Sequence, residues 1–304
     1  APAGGYRRTR VQYDVCPIAV SLSEVSMLNV DLHCHSNVSD GTLSPAELAK
    51  RAAANGVDVW ALTDHDEVGG IAEARAAAQD LGMRFVAGVE ISITFAGKTV
   101  HIVGLDIDER HPDLYGGLAS VREGRVRRGH LIATQLELTG LSNVFEGALK
   151  YADNPSLIGR THFARYLVEL GVQPTVSEVF RHYLVEGKPG FVPHRWTTLQ
   201  EAVSWIRAAG GRAVIAHPGR YAFDQMQFDA LLSEFAALGG EGIEVVTGSH
   251  TPDQFEEFAA LSRRTGLLAS RGSDFHGPAE SRVDLGSLPH LPADLKPVWH
   301  DWQL

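Results

Sequence analysis

Residues 57–66 read VDVWALTDHD, an apolar strand that runs directly into two carboxylates and an imidazole. The same arrangement recurs along the chain, where residues 29–35 read NVDLHCH, 212–217 read RAVIAH and 267–276 read LLASRGSDFH. Helical segments such as 44–55, which opens with a capping-box pattern, separate these strands. Strands that alternate with helices predict an α/β fold with a parallel sheet, open or barrel-shaped, whose functional groups gather at the C-terminal strand ends.

The middle of the chain has a different pattern. Residues 109–190 are helix-like throughout and contain no clear strand, and the alternation of strands and helices then resumes. This pattern predicts an α/β scaffold with an all-helical insertion. We therefore predict four parts: an N-terminal extension at 1–28, a catalytic scaffold at 29–108 and 191–290, a helical insertion at 109–190 that caps the substrate, and a C-terminal tail at 291–304.

The composition is that of a soluble globular protein. The chain has 304 residues, of which 44% are hydrophobic and 21% charged. Its net charge of -10 argues against broad electrostatic binding to a DNA duplex, and no apolar run is long enough for a membrane span. The two cysteines, Cys16 and Cys34, cannot form a disulfide framework and favour a cytoplasmic location.

The chain contains 14 histidines, and several of them occur with carboxylates just past the ends of the predicted strands. His101 is an exception, since it lies within a strand. The strand-end groups are His33, His35, Asp64, His65, Asp66, Glu90, His217, Asp274 and His276. Imidazole and carboxylate without thiolate suit Zn²⁺, Mn²⁺ or Fe²⁺. Because these groups exceed what one tetrahedral site needs, we predict two or three metal ions.

These segments resemble the motifs of the PHP (polymerase and histidinol phosphatase) family in order and spacing. The matching segments are DLHCHS at 31–36, SDG at 39–41, LTDHD at 62–66, GVE at 88–90, HIVG at 101–104, AHPG at 216–219 and GSDFH at 272–276. The resemblance implies a distorted seven-stranded β/α barrel with a trinuclear metal centre at the C-terminal strand ends. The helical insertion resembles that of a branch acting on nucleoside 3′,5′-bisphosphates, whose members are also described as 5′-to-3′ exoribonucleases on short RNA.

The resemblance also implies how the ligands divide among the metals. It gives a first position with His33, His35, Glu90 and Asp274, a second that shares Glu90 with His101 and His217, and a third with Asp40, His65 and His276. Many relatives have His where this sequence has Asp40, so we expect the third metal to exchange more readily than the other two. In the implied reaction, a hydroxide bridging two metals attacks phosphorus, and Asp66 and His194 are the candidate proton donors to the leaving alcohol.

Substrate recognition is predicted to come from the insertion and the segment that follows it. Five basic residues are candidates for contacts with the substrate: Arg125, Arg128, Arg160, His162 and His194. Arg160 and His162 lie in IGRTHFAR at 158–165, which resembles a motif of the bisphosphatase branch. Arginine grips phosphate bidentately, although a solvated helix face is the alternative interpretation of the run that contains Arg125 and Arg128.

We therefore predict a metal-dependent phosphoric ester hydrolase that converts a nucleoside 3′,5′-bisphosphate into the nucleoside 5′-monophosphate and phosphate. Three alternatives stay open at this stage: a 5′-3′ exoribonuclease on short RNA, a phosphatase of the histidinol-phosphate type, and a regulatory PHP module without catalysis. The sequence does not indicate an oligomeric state.

Overall fold

The computed structural model of the chain describes residues 28–303. All but the last residue of the predicted N-terminal extension, including Cys16, therefore lies outside the described residues. Seven strands form one sheet in chain order. They are β1 (Val30–Asp31), β2 (Val59–Leu62), β3 (Arg84–Phe95), β4 (Lys98–Leu105), β5 (Arg212–Ile215), β6 (Gly242–Thr247) and β7 (Leu268–Gly272).

The first and last strands meet, so the sheet closes into a barrel. The backbone N–H of Leu32 donates to the carbonyl of Arg271 at 3.0 Å, and that of Asp274 donates to the carbonyl of His33 at 2.8 Å. Closure removes the two exposed strand edges that an open sheet would present. The predicted distorted seven-stranded β/α barrel is thus confirmed.

Strand β4 departs from the parallel sheet expected from the alternation of strands and helices. It pairs antiparallel with both β3 and β5, whereas the other neighbouring strands pair parallel. The reason is a two-residue hairpin at Ala96 and Gly97, whose φ angles of 46° and 76° match the tight turns that join antiparallel strands. This reversal places the first half of β4 at the barrel end where the parallel strands terminate.

Helices surround the barrel and fill the insertion. They are α1 (Pro45–Ala54), α2 (Ile71–Asp80), α3 (Pro112–Glu137), α4 (Val144–Leu149), α5 (Arg160–Glu169), α6 (Val176–Val179), α7 (Leu199–Ala208), α8 (Gln225–Ala237) and α9 (Pro252–Thr265). The capping box predicted for α1 is present, since Ser44 Oγ accepts from Glu47 N–H while Glu47 Oε2 accepts from Ser44 N–H. Between residues 109 and 190, which the structure describes throughout, there are helices and turns but no strand.

The insertion has a hydrophobic core of its own. Ile132, Leu136, Phe163 and Leu167 are among its buried residues. The first two turns of α3 belong instead to the barrel, because Leu114 and Leu118 pack into the barrel core. Helix α3 therefore ties the insertion to the barrel.

The segment predicted as a C-terminal tail is part of the barrel packing. Val298 is fully buried and Trp299 is 1% exposed. The backbone of Ala269 in β7 exchanges hydrogen bonds with Lys296 and Val298. The segment predicted as a C-terminal tail at 291–304 therefore packs on the barrel, where it binds β7 and buries apolar side chains.

Candidate metal centre

The predicted metal ligands converge at the barrel end where the parallel strands terminate. Each has a nitrogen or oxygen no more than 3.4 Å from one of another ligand. The residues are His33, His35, Asp40, His65, Glu90, His101, His217, Asp274 and His276. His101 joins them because it lies in the first half of the reversed strand β4.

Three of these side chains, His33, His35 and Glu90, have the spacing of a tetrahedral metal site, and Asp274 adjoins them at His35. Nε2 of His33 lies 3.2 Å from Nε2 of His35 and 3.4 Å from Glu90 Oε1. Nε2 of His35 lies 3.3 Å from Glu90 Oε2 and 3.3 Å from Asp274 Oδ1. Metal–nitrogen bonds of about 2.0–2.1 Å place tetrahedral ligands about 3.3 Å apart, so these spacings fit one bound metal ion.

Glu90 lies at the centre of the cluster with both carboxylate oxygens facing imidazoles. Oε1 lies 2.9 Å from His101 Nδ1 and 2.9 Å from His217 Nε2, and Oε2 lies 2.8 Å from His65 Nδ1. Complete burial would raise the pKa of Glu90, but His101 and His65 hold it well below its usual value. An ionised carboxylate whose two oxygens face different histidines can bridge two metal ions.

A second group of ligands surrounds Asp40. Its Oδ1 lies 3.4 Å from His276 Nε2, 3.9 Å from His65 Nε2 and 3.9 Å from His35 Nδ1. Nδ1 of His276 donates to the carbonyl of Asp274 at 2.9 Å, which leaves a lone pair on Nε2 for a metal ion. His35 directs Nε2 toward Glu90 and Asp274 and Nδ1 toward Asp40. His65 lies between Glu90 and Asp40.

Buried polar atoms without partners test whether metal ions fit this cluster. Among the described residues, His35 Nδ1, Asp40 Oδ1, His65 Nδ1 and Glu90 Oε2 are buried and make no well-directed hydrogen bond, although His65 Nδ1 and Glu90 Oε2 lie 2.8 Å apart. Each such atom costs about 1–3 kcal/mol when it stays unsatisfied. Because all four can offer lone pairs in one small region, bound cations would satisfy them together, and the residues therefore fit the predicted metal ions.

The backbone is strained at three positions beside the cluster. Asp66, His217 and Asp274 have φ angles of 50°, 27° and 54°, a region that L-residues adopt at a cost of roughly 1–3 kcal/mol each. Such strain persists where the surrounding structure determines the conformation, as it does at active sites. Here it directs His217 and Asp274 from their strand ends into the cluster.

Glu244 is a residue of this site that the sequence analysis missed. Its Oε1 accepts from His33 Nδ1 at 2.7 Å, and its Oε2 accepts from the backbone N–H of His217 at 2.6 Å. Proton donation from Nδ1 leaves Nε2 of His33 free for a metal ion. The available signal was a carboxylate inside the otherwise uncharged strand β6, where every residue is buried.

Replacing Glu244 with Gln should weaken metal binding by about 10–100-fold, because one amide cannot accept from both His33 and His217. A chelator competition titration of the purified protein measures this affinity. Glu241→Gln is the matched control, since Glu241 is exposed and pairs with Arg212 just before the same strand. Equal affinities in the two variants would show that Glu244 does not orient His33.

Asp66, one of the two predicted proton donors, is held as an ion pair. It is fully buried, its Oδ1 accepts from Ser92 N–H at 2.7 Å, and its Oδ2 accepts from Arg125 Nε at 2.8 Å. With both oxygens hydrogen-bonded and the side chain fully buried, Asp66 is less suited than His194 to give a proton to a leaving group, and its pair with Arg125 fastens α3 to the barrel.

His162, predicted to contact substrate, is fully buried and uses both ring nitrogens within the protein. Nδ1 accepts from Gly159 N–H at 3.0 Å, so Nε2 carries the proton and donates to the carbonyl of Ser39 at 3.1 Å. The prediction of His162 as a substrate-binding residue was therefore wrong. It connects the insertion to the loop before Asp40.

Because of His162, the free energy of unfolding should fall as the pH is lowered below about 6.5. Burial lowers its pKa from 6.5 to about 4, so between these pH values the unfolded chain binds a proton that the folded chain does not. Its contribution is fully present above about pH 6.5 and is lost as the pH falls toward 4, an effect on the order of 3 kcal/mol.

Denaturant unfolding of the metal-free protein between pH 7 and 4.5 checks this expectation. The free energy of unfolding of His162→Gln should fall less steeply with acid than that of the wild type. His182→Gln, at an exposed position of the insertion, is the control. A slope in His162→Gln identical to that of the wild type would contradict the argument.

Three of the predicted basic residues, Arg128, Arg160 and His194, line a cavity of about 390 Å³ together with Arg220, whereas a fourth, Arg125, binds Asp66 and does not line it. Burial, with Arg160 and Arg125 nearby, lowers the pKa of Arg128 to about 9. Burial and neighbouring arginines likewise lower the pKa of Arg160 to about 10. Among the described residues, neither Arg128 nor Arg160 is paired with a carboxylate. The lining also contains Lys98, Arg220 and the carboxylate of Glu186, so the cavity is net positive and suits an anionic ligand. A larger cavity, of about 1000 Å³, lies between Arg165 and Thr175 and is not lined by the ligand cluster.

His194, the other predicted proton donor, remains accessible in this cavity. Its ring lies 4.2 Å from the ring of Trp196 in an edge-on arrangement. Burial, followed by Arg128 and Arg125, lowers the pKa of His194 to about 4. Its imidazole is therefore neutral near pH 7.

Arg220 joins the basic cavity to the metal ligands, and the sequence analysis missed it. Its Nη1 donates to Asp274 Oδ2 at 3.1 Å, and 51% of its side chain is exposed. It also lines a neighbouring cavity of about 250 Å³ together with His276 and Ser249. Its position three residues after His217, on the same strand-end loop, was the signal available in the sequence.

Comparisons with known proteins agree with this architecture. A family model described as "PHP domain" matches residues 31–208. A 3′,5′-nucleoside bisphosphate phosphatase from Chromobacterium violaceum is 50% identical over 275 residues, which cover 90% of this chain and 96% of the relative. A 5′-3′ exoribonuclease from Haemophilus influenzae is 42% identical over 269 residues, covering 88% and 97%.

A solved structure from Chromobacterium violaceum, called an amidohydrolase with bound sulfate and no metal, is 50% identical and has a TM-score of 0.86, covering 89% of this chain and 94% of that one. Among the described residues, no helix is both long and apolar enough to cross a membrane. The family match covers more than half of the chain, and the relatives align over nearly their full lengths. The chain belongs to the PHP family, as its motifs predicted.

Proposed function

We propose that this protein is a metal-dependent phosphatase that removes the 3′-phosphate of a nucleoside 3′,5′-bisphosphate and leaves the nucleoside 5′-monophosphate. One observation carries the proposal: a cavity whose lining is net positive, with Arg128 and Arg160 unpaired with any described carboxylate, adjoins the ligand cluster through Arg220, which lines the cavity and binds Asp274. A substrate with two phosphates would place one at the metal ligands and the other among the arginines. The phosphatase from Chromobacterium violaceum, 50% identical, supports the same substrate class.

We propose three metal ions, of Mn, Zn or Fe, held by the three ligand sets that the family resemblance implies. His35 and His65 lie between the ligands around Glu90 and those around Asp40. When bound, divalent cations would neutralise the charge of the phosphate and lower the pKa of water so that a nucleophile is present near neutral pH. The chain's own residues orient the substrate. Arg220 can contact the reacting phosphate while it holds Asp274, and Arg128 and Arg160 can grip the second phosphate bidentately.

His194 is the proposed proton donor to the leaving 3′ oxygen, because Asp66 is held by Arg125. Burial is the main cause of the lowered pKa of His194, and nearby arginines lower that pKa further; a phosphate in the basic cavity would offset the part due to the arginines and raise the pKa. That change would let the imidazole hold a proton in the complex although it is neutral in the free protein. We also propose a cytoplasmic location, since the chain has two cysteines and Cys34 is a free, buried thiol.

A second candidate function is 5′-3′ exoribonuclease activity on short RNA. The cavity of about 250 Å³ on the other side of Arg220 offers room for a further nucleotide. The 42% identical exoribonuclease from Haemophilus influenzae supports this alternative. Both activities would use the same metal ligands.

A phosphate-release assay with the Mn²⁺-loaded protein tests the proposal. The panel contains a nucleoside 3′,5′-bisphosphate, the matching 5′-monophosphate, a 5′-phosphorylated dinucleotide and histidinol phosphate. The bisphosphate should have a kcat/KM at least about tenfold above that of the monophosphate, because only it has a phosphate for the arginines. Preference for histidinol phosphate would reject the proposed substrate class, and mononucleotide release from the dinucleotide would establish the second function.

A further inference from the structure

The first two turns of α5 hold the barrel loop that carries Asp40. Thr161 Oγ1 donates to Asp40 Oδ2 at 2.9 Å, and Arg165 Nη2 donates to the carbonyl of Asp40 at 2.6 Å. His162 Nε2 donates to the carbonyl of Ser39 at 3.1 Å. Three side chains of the insertion thus bind two consecutive residues of the barrel.

The barrel holds the same loop from the opposite side. Asp64 Oδ1 accepts from Ser36 N–H at 2.8 Å and from Ser39 Oγ at 2.5 Å, while its Oδ2 accepts from Ser36 Oγ at 2.6 Å. On the insertion side, Arg165 is itself fixed by Glu280 at 2.7 Å. The loop backbone is therefore fixed, and the rotation of the Asp40 carboxylate is the freedom that remains.

The two oxygens of Asp40 have different surroundings. Oδ2 accepts from Thr161, whereas Oδ1 is buried without a hydrogen bond and faces His276 Nε2 at 3.4 Å. The terminal torsion of an aspartate is soft, so without a partner the carboxylate could turn either oxygen toward the ligands. The hydroxyl of Thr161 selects one orientation and leaves Oδ1 free.

We propose that Thr161 is a positioning residue for the third metal ion, because its hydroxyl orients Asp40 as a ligand. The barrel and the insertion then both contribute to the third metal position. The barrel supplies the ligands, and the insertion orients one of them, Asp40. Arg160, the neighbour of Thr161, lines the basic cavity, so one turn of α5 contributes to metal binding and to the phosphate site. The inference rests on the proposed metal centre and is independent of the proposed substrate.

Titration of the metal-free, full-length protein with Mn²⁺ alone tests the inference, with free Mn²⁺ followed by electron paramagnetic resonance. Thr161→Val should weaken one class of Mn²⁺ sites by about 10–100-fold and leave the others unchanged. Thr161→Ser, which restores the hydroxyl, should return that class to wild-type affinity. Thr134→Val is the matched control, because the hydroxyl of Thr134 binds the backbone of its own helix, α3.

A double-mutant cycle separates positioning from a general structural role. In an Asp40→Ala background, Thr161→Val should cause no further loss of Mn²⁺ affinity, since its only route to the metal is through Asp40. Three results would each overturn the inference. Thr161→Val could bind Mn²⁺ with wild-type affinity, Thr161→Ser could fail to restore the affinity that Thr161→Val loses, or the double variant could lose the sum of the two single losses. The inference would also be overturned if circular dichroism showed Thr161→Val to be unfolded at room temperature, because the hydroxyl would then be needed for folding.

The Mn²⁺ titration requires no substrate. If the phosphate-release assay rejects the bisphosphate while Thr161→Val still weakens one metal class, the proposed function fails and the positioning role stands. If the assay succeeds and Thr161→Val binds Mn²⁺ normally, the positioning role fails and the proposed function stands.

Discussion

Replacing Glu90 with Gln should remove two metal ions together and lower kcat/KM for phosphate release by at least about a thousandfold. The structure places Glu90 at the centre of the cluster, with Oε1 2.9 Å from both His101 and His217 and Oε2 2.8 Å from His65. The amide of Gln has one acceptor oxygen and therefore cannot bridge two metal ions. If the metal ions stabilise the transition state by several kcal/mol, their loss lowers kcat/KM by about three powers of ten.

Metal analysis by inductively coupled plasma mass spectrometry, together with the activity assay, measures both parts of this result. Glu109→Gln is the control, since Glu109 pairs with Arg75 away from the cluster. A full metal complement in Glu90→Gln would contradict the bridging geometry. Normal activity with fewer metal ions would show that the lost ions take no part in the reaction.

Replacing Arg160 with Ala should lower kcat/KM for a nucleoside 3′,5′-bisphosphate by about tenfold to hundredfold. A charge-assisted hydrogen bond to a second phosphate is worth roughly 1.5–3 kcal/mol, and each 1.4 kcal/mol is about tenfold. Arg160 lines the basic cavity and has no carboxylate partner among the described residues. The loss should therefore appear only with substrates that carry a phosphate for this cavity.

An aryl phosphate without a second phosphate provides the comparison, and its turnover should barely change in Arg160→Ala. Arg181→Ala, in the same insertion but exposed and paired with Glu178, is the control variant. Equal losses on both substrates would mean that Arg160 acts on the metal ligands or on the fold. No loss on either substrate would leave Arg160 as a solvated charge.

Most candidate ligands could be found from the sequence because they follow strand ends, and parallel strands bring their ends together, whereas Asp40 was assigned only through the family resemblance. Their division among metals could not, because chain order does not show that His35 presents one ring nitrogen to each group. His101 fitted the strand-end pattern only after the Ala96-Gly97 hairpin was known to reverse β4. The barrel itself followed from the family motifs rather than from the alternation of strands and helices.

The errors in the site have equally physical causes. Arg160 and His162 are two residues apart on a helix, so they point in different directions, one to the cavity and one to the interior. Asp66 pairs with Arg125, 59 residues later, which no local pattern reveals. Glu244 and Arg220 were missed because neither is a strand-end histidine or carboxylate of the kind that the motif search followed.

The central claim is that the metal cluster and the basic cavity act on one substrate, and product analysis tests it most directly. A nucleoside 3′,5′-bisphosphate is incubated with the Mn²⁺-loaded, full-length protein and followed by ³¹P nuclear magnetic resonance. We predict that one phosphate is released, that the nucleoside 5′-monophosphate remains and resists further hydrolysis, and that a chelator abolishes the reaction. Formation of the nucleoside 3′-monophosphate, or release that continues after the metal is chelated, would contradict the account.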